Sequence, residues 1–594
     1  MLERLGRLST PSQRWLLALG CIVLFGLWLT HVPLTERDET RYAEATREML
    51  ESGDVLIPAF NYTPRYQKPI GYYWLQAPFV KLFGVNEVAA RLPSAAVTLV
   101  MVLLLHGMLL RWLPAGATGD FARGRARGAA FLGAAALAVV PLVAIWARAA
   151  VTDPTLTLFM TMTMLALMQA DLRGAANDPR AARRWYYVAA VAAGLAFLTK
   201  GPLGILIPVL AWLLYHGVQK SLAAEARRVP WLGAIVLFLL VAAPWYLTTY
   251  VVDGPGFLTR FFGVENAQRF AGAMEGHGFD NRLLGFFFYL PVAWLFLFPI
   301  SPFLIRELVQ PFGGNPAIAR QASYQRLRRF AWCWVAATLL ILSPAATKLP
   351  SYIMPLAGAT AILFAIHLIG RLAPGSTTAE PSRLTTAGTV LENALLTLAA
   401  LAWVAGPVVF LVLEKITGPF GPQPLPHPLT EIIVGLLAIP GLLMLVMIAV
   451  WALRRRPARL ISWTVGCWAV LLLVLLLGVA PLVIRAAYGP SVAIGRFLRT
   501  QAPEAAVYTY LDGKTCEGLV YYARRRVNFL PYAAPEALTT LIHELNARRT
   551  VLVITDTTGY RMVKDLGNSS VLKEIGAFRV VKLASAVASE QRDD

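Results

Sequence analysis

Nine side chains stand out in this chain by type and position. Two are acids, Asp38 in "LTERDETRYAE" and Asp153 in "AVTDPTLTLF", each at the edge of a long apolar run. Cations recur at the same kind of edge: Arg41 one helical turn beyond Asp38, Lys68 in "RYQKPIGYYWLQAP", Lys200 in "FLTKGPLG", Arg269 with Glu265 in "VENAQRF", and Lys348 with Tyr352 in "KLPSYIMPL". Several cations converging at a membrane–water boundary suit a phosphate, with Arg supplying a planar fork and Lys a point charge. Carboxylates beside them could orient a reacting group or take its proton. A plainer reading stands beside each. Asp38 could be the N3 carboxylate of a helix capped by Thr35, worth roughly 0.5–2 kcal/mol. Tyr42, Ala45 and Met49 would then be that helix's buried stripe, and its other charges would be solvated. Asp153 before Pro154 is a common helix-start signal. The three lysines could be interface residues snorkelling to water.

The elements that must carry these residues follow from composition. Hydrophobic residues make up 57% of 594 and charged residues 15%, which excludes an ordinary soluble domain and implies an integral membrane protein. The first apolar segment, Trp15 to Thr30, follows Arg4, Arg7 and Arg14. No small-x-small cleavage pattern follows it, so it reads as a retained anchor and not a cleaved signal. A bilayer core of roughly 30 Å needs about 20 apolar residues per helix. That rule predicts spans near 13–33, 93–113, 129–147, 151–170, 186–199, 202–217, 231–252, 284–305, 330–346, 352–370, 389–412, 431–453 and 460–484, about 13 transmembrane helices. Alternate connections are rich in Arg and Lys, as cytoplasmic loops should be: Arg111 to Arg127, Arg173 to Arg184, Lys220 to Arg228, Arg306 to Arg329, Arg371 to Arg383, and Arg454 to Arg459. With the N-terminus inside, an odd number of spans leaves residues 485–594 outside. The net charge of +20 then follows largely from topology and does not point to nucleic acid.

The terminal segment changes character. Val507–Tyr510, Val527–Leu530, Val551–Thr555 and Arg579–Leu583 read as short strands separated by helices at Glu517–Ala523, Pro535–Arg549 and Tyr560–Leu566, a small α/β domain. Tyr508, Tyr510, Tyr521 and Tyr522 with Arg524–Arg526 would form an aromatic-basic patch on it that could meet anionic lipid. Three of the four cysteines lie in apolar spans and Cys516 lies outside, with no disulfide or metal spacing. Glu275 and His277 in "MEGHGFD", with Asp280, are loosely spaced candidates for a divalent cation, but the segment reads first as a plain solvated loop; no cofactor is firmly implied. His106, inside an apolar span, reads as a packing histidine.

Taken together, "DETRYAEATREML", "KPIGYYWLQAP", "TDP", "LTKG", "VENAQRF" and "KLPSYIMPL", in that order over most of the first 360 residues, resemble the lipid A aminoarabinose transferases, members of the GT-C class of polyprenyl-phosphate-dependent glycosyltransferases. The resemblance implies a polytopic inner-membrane enzyme of GT-C type with periplasmic juxtamembrane helices. It also implies a donor of 4-amino-4-deoxy-L-arabinose on undecaprenyl phosphate and lipid A, or another lipid, as acceptor. By motif it implies Asp38 and Asp153 as the essential acids and places Lys68, Arg269 and Tyr352 at the lipid phosphate, with Lys200, Glu265 and Lys348 in adjoining motifs; Arg41 joins the substrate-binding candidates by its spacing from Asp38. The expected organisation is a catalytic membrane domain over 1–484, with outer loops 34–92 and 253–283, and a periplasmic α/β domain over 485–594. One departure stands out: the family usually has Glu-Lys-Pro where this chain has Gln67-Lys68-Pro69. A related transferase with another sugar or a hydroxyl acceptor remains an alternative. A lipid transporter is a further one, although transporters gather polar residues and broken helices near the midplane, and here they gather at span ends.

Overall fold

A computed structural model describes residues 2–371, apart from 28, 118, 273–281, 310 and 312–314. It also describes 457–585, apart from 502–504, 512–515, 532, 535, 549 and 577, and a few residues between these two stretches. The expected spans at 389–412 and 431–453 lie almost wholly outside the described residues. Helices occupy all eleven others, as they must in lipid, where the backbone has no water to satisfy it. Glu87–Trp112, Asp153–Ala175, Trp231–Asp253 and Val465–Thr500 are each long and apolar enough to cross a membrane alone.

Three expectations need correction. The span at 129–147 is two helices, Asp120–Val139 and Pro141–Arg148, meeting at 58°. The span at 284–305 turns through 111° between Leu283–Phe296 and Ser301–Val309. A proline sits at each break, Pro141 and Pro299; it lacks the N–H and drives the preceding residue out of helical geometry. Apolarity runs on through both bends, so hydropathy does not register them. The last span does not stop near 484: helix runs on through Ala480–Gln501, so the expected domain boundary at 485 falls inside a helix.

The segment 34–92, expected to be the first outer loop, is built from the helix Asp38–Ser52, a hairpin pairing Ala59–Phe60 with Thr63–Pro64, and the helix Gly71–Phe83. Tyr42, Ala45 and Met49 form the buried stripe that the periodicity predicts, and Tyr42 packs edge-on to Tyr72 at 5.3 Å. The neighbouring charges are not solvated, contrary to expectation. Glu39 is gripped by Arg91 through two 2.7 Å bonds, and Glu44 by Arg47 through two at 2.8 Å, because other elements cover that face. Gly71 lets this layer close on the membrane helices: a Cβ there would stand 2.8 Å from the Leu198 carbonyl oxygen.

The C-terminal part holds a five-stranded sheet in the order Asn528–Pro531, Ala506–Leu511, Thr550–Thr555, Phe578–Ala584, Asn568–Ile575. The first three strands are parallel and the last two join antiparallel. Asn568–Ile575 was not expected from sequence; it is a largely exposed edge strand without the apolar alternation that marks a strand. Alternation along Val507–Leu511 sends Val507 and Leu511 to one core and Tyr508 and Tyr510 to the other. The aromatic-basic patch is therefore corrected: Tyr508, Tyr510, Tyr521 and Tyr522 are all buried.

Candidate functional site

The local geometry around Asp38 differs from a capped helix start. Thr35 donates both its N–H and its Oγ1–H to Glu39 Oε2 at 2.9 Å, and the helix begins at Asp38 itself after Arg37, whose φ is 67°. Such a backbone costs a non-glycine residue about 1–3 kcal/mol. Asp38 is thus the first helical residue and not the N3 carboxylate, and it is exposed within cavities that the surrounding helices enclose.

Asp153 opens the helix Asp153–Ala175, with Pro154 in its first turn, and Lys200 closes Pro179–Lys200. The two helices bring Asp153 Oδ1 to 2.8 Å from Lys200 Nζ, with side chains 12% and 8% exposed. Lys200 Nζ also lies 4.5 Å from the centroid of the Tyr352 ring. Six of the predicted residues therefore converge on one cavity of about 90 Å³: Asp38, Arg41, Lys68, Asp153, Lys200 and Tyr352. Arg37 and Thr347 line it too; sequence reasoning passed over them because neither type nor spacing separates them from ordinary loop residues.

Lys68, Lys200, Thr347 and Tyr352 are shared with a second cavity of about 390 Å³, walled by Leu203, Leu206, Phe262, Phe270, Ile341 and Leu342. Glu265 and Asn266 enter it from the segment Thr259–Gln268, and Arg269 starts the short helix that follows. A third cavity, about 320 Å³, shares Asp38, Trp146 and Val151 with the first and is lined by Arg91, Arg148, Leu476, Pro481 and Ile484. Asp38 thus stands where two cavities meet.

Lys348 departs from the expectation. Its Nζ donates to the Leu342 and Ser343 carbonyls at 3.0 and 2.5 Å and lies 5.0 Å from the Tyr289 ring centroid. Its neighbours Thr347 and Leu349 face the first cavity instead. The helix Ala322–Leu342 ends there with open carbonyls, which an ammonium satisfies well, and burial pulls the Lys348 pKa down to about 8. Glu275 and His277 lie outside the described residues, and among the described residues no three His, Cys, Asp or Glu side chains gather as metal ligands. Gln67 Oε1, in the departure from the family pattern, is buried without a hydrogen-bond partner.

The carboxylates beneath Asp38 are held in different states. Burial acts to raise Glu39, but the Arg91 guanidinium outweighs it and holds the carboxyl below its ordinary value. Burial pushes Glu36 up to about 7, with Glu517 nearby adding to the rise against hydrogen bonds from Gly518 and Ser491.

Comparison with known proteins bears on this geometry. Residues 67–248 match the family described as dolichyl-phosphate-mannose-protein mannosyltransferase. An undecaprenyl phosphate-alpha-4-amino-4-deoxy-L-arabinose arabinosyl transferase from Aeromonas hydrophila is 30% identical over 368 residues, 61% of each chain. One from Pseudomonas fluorescens is 32% identical over 376 residues, 62% of this chain and 59% of its own. The chain thus matches about three fifths of the length of these curated relatives. Among solved structures, ArnT from Cupriavidus metallidurans bound to undecaprenyl phosphate superposes with a TM-score of 0.72 at 21% identity, over 97% of this chain and 98% of that one. The chain has the polytopic helical membrane fold of the GT-C class.

Proposed function

We propose that this protein transfers 4-amino-4-deoxy-L-arabinose from undecaprenyl phosphate to phosphate groups of lipid A. The reaction would take place at the periplasmic face of the bacterial inner membrane. The product adds positive charge to lipopolysaccharide and weakens its attraction for cationic peptides such as polymyxin. The observation that carries this reading is the placement of Asp38. On one side of it a cation-lined cavity opens into an apolar one suited to a polyprenyl chain. On the other lies a separate cavity walled by Arg91 and Arg148. The alternation of basic loops supports the orientation, with the acids and their cations on the face opposite Arg111, Arg173 and Arg227. On this reading the membrane helices, through the helix that ends at Gln501, form the catalytic domain, and the sheet domain built on Ala506–Ala584 lies in the periplasm.

The acceptor oxygen attacks C1 of the sugar, and the bond from C1 to the donor phosphate oxygen breaks, its electron pair leaving with undecaprenyl phosphate. Charge developing on that phosphate needs cations, preorganised and shielded from water. Lys68 supplies one and Lys200 a second, held in place by Asp153; Arg269 is assigned to the same phosphate by its motif. A lipid A phosphate oxygen is already anionic near neutral pH, so Asp38 need not act as a general base. Its charge instead stabilises the positive charge growing at C1 and orients the sugar amine. The apolar wall of Leu203, Leu206 and Ile341 takes the first isoprene units.

The second reading, a related transferase carrying another sugar or using a hydroxyl acceptor, is favoured by Gln67 where the family usually has Glu. In that case Asp38 becomes a conventional base. One experiment separates them. Purified protein is given undecaprenyl-phosphoryl aminoarabinose with lipid A, and in parallel other polyprenyl-phosphate sugars, and the lipids are weighed by mass spectrometry. Aminoarabinose on lipid A phosphate supports the first reading. Product only with another sugar or at a hydroxyl overturns it.

A further inference from the structure

The transfer site contains one side chain whose anchor comes from the far end of the chain. Arg41 lines the cation-lined cavity beside Asp38, and its guanidinium is ion-paired with Glu517, which is 4% exposed and opens the helix Glu517–Ala523 of the C-terminal domain. This contact belongs to a built interface. Gly518 N–H donates to Glu36 Oε2 at 2.8 Å, and Tyr522 accepts from Leu34 N–H at 2.9 Å. Asn61 exchanges two hydrogen bonds with the Val527 backbone, at 2.8 and 3.0 Å. The contact is close: a Cβ at Gly518 would stand 2.5 Å from Glu36 Oε1, and the carboxylate would have to shift. Among these contacts the Glu517 pair is the one that reaches a residue of the cation-lined cavity.

We propose that Glu517 is a positioning residue for the transfer site: it fixes Arg41 in the cation-lined cavity, so that the phosphate-binding set is complete only when the C-terminal domain is docked. This rests on the transferase reading. An arginine held at one edge by a carboxylate keeps its remaining N–H groups aimed in a fixed plane, which suits a phosphate. Released, the same side chain must lose its rotamer freedom on binding.

The test is a double-mutant cycle read by binding of undecaprenyl phosphate to the full-length protein in native mass spectrometry, with Arg41→Ala, Glu517→Ala and the double variant. Asn61→Ala, which removes one docking contact without touching Arg41 and leaves the domain held through Gly518, Tyr522 and Glu517, is the control. Glu517→Ala should weaken binding about tenfold, the scale of one charge-assisted hydrogen bond, and Glu517→Gln should recover part of it. The double variant should bind no more weakly than Arg41→Ala, and Asn61→Ala should bind as the unaltered protein does. Additive losses, or an equal loss in Asn61→Ala, would show Glu517 to be a mere staple and overturn the assignment. Failure of the unaltered protein to bind undecaprenyl phosphate would instead overturn the transferase reading.

Discussion

Asp38 and Asp153 should respond differently to the same change, Asp→Asn. Asp153 Oδ1 and Lys200 Nζ are 2.8 Å apart, with side chains 12% and 8% exposed. Removing the charge of one partner strands the other in a nearly closed pocket, which costs about 3–5 kcal/mol for a buried pair. The residual exposure puts Asp153→Asn toward the lower end of that range. Asp38 is exposed within its cavities and begins its helix, so Asp38→Asn forfeits mainly a first-turn carboxylate, about 0.3–1 kcal/mol. Both should lose turnover by about 10²–10³-fold if their charges act on the transition state. A third variant closes the argument: Asp153→Asn with Lys200→Met replaces the buried pair by neutral groups and should regain most of the stability but no activity. Melting temperature and sugar transfer are measured on the same detergent preparation of each. Turnover within threefold of the parent in Asp38→Asn would return that residue to a helix-start role. A parental melting temperature in Asp153→Asn would refute the ion-pair reasoning.

Four further outcomes are expected. Lys68→Ala should lower transfer by about 10²–10³-fold with normal insertion, checked by turnover per folded protein; near-normal turnover would leave it an interface lysine. Gly71→Ala should drive the helix Gly71–Phe83 off the Leu198 backbone, since its Cβ would stand 2.8 Å from a carbonyl oxygen. The cost should be about 1–3 kcal/mol in a thermal melt, and transfer should fall because Lys68 precedes that helix. Glu36 should make stability depend on pH: its folded pKa is raised by burial from 4.5 to about 7, so its contribution is full below about pH 4.5 and lost as pH rises through 7. Glu44, raised by burial to about 8, acts in the same direction, so the Glu36 share is read as the difference between parent and Glu36→Gln, whose melting temperature should gain on the parent's from pH 5 to 8. For orientation, a cysteine at Lys573 should react with an impermeant thiol reagent on intact spheroplasts, and one at Ala223 only after permeabilisation; the reverse would remove the periplasmic site.

The membrane class, the approximate helices and six of the residues lining the first cavity were legible in the sequence because each depends on local chemistry. An apolar run in lipid has little choice but to be helical. A charge at its end must meet the interface, so Asp38, Lys68, Asp153, Lys200 and Tyr352 could be assigned to one face before any contact was known. Local pattern carries no information about which side chain meets which. The partner of Asp153 lies 47 residues away and that of Arg41 lies 476 away, and only packing selects among the available cations and carboxylates. The same pattern could not show that Lys348 turns back onto the open carbonyls of the helix before it, or that the tyrosines of the C-terminal domain face inward. It could not show that two prolines bend helices through uninterrupted apolar sequence. Hydropathy measures how much surface must leave water; the tertiary fold decides against what it is buried, and through that decision a scattered set of charges becomes a site.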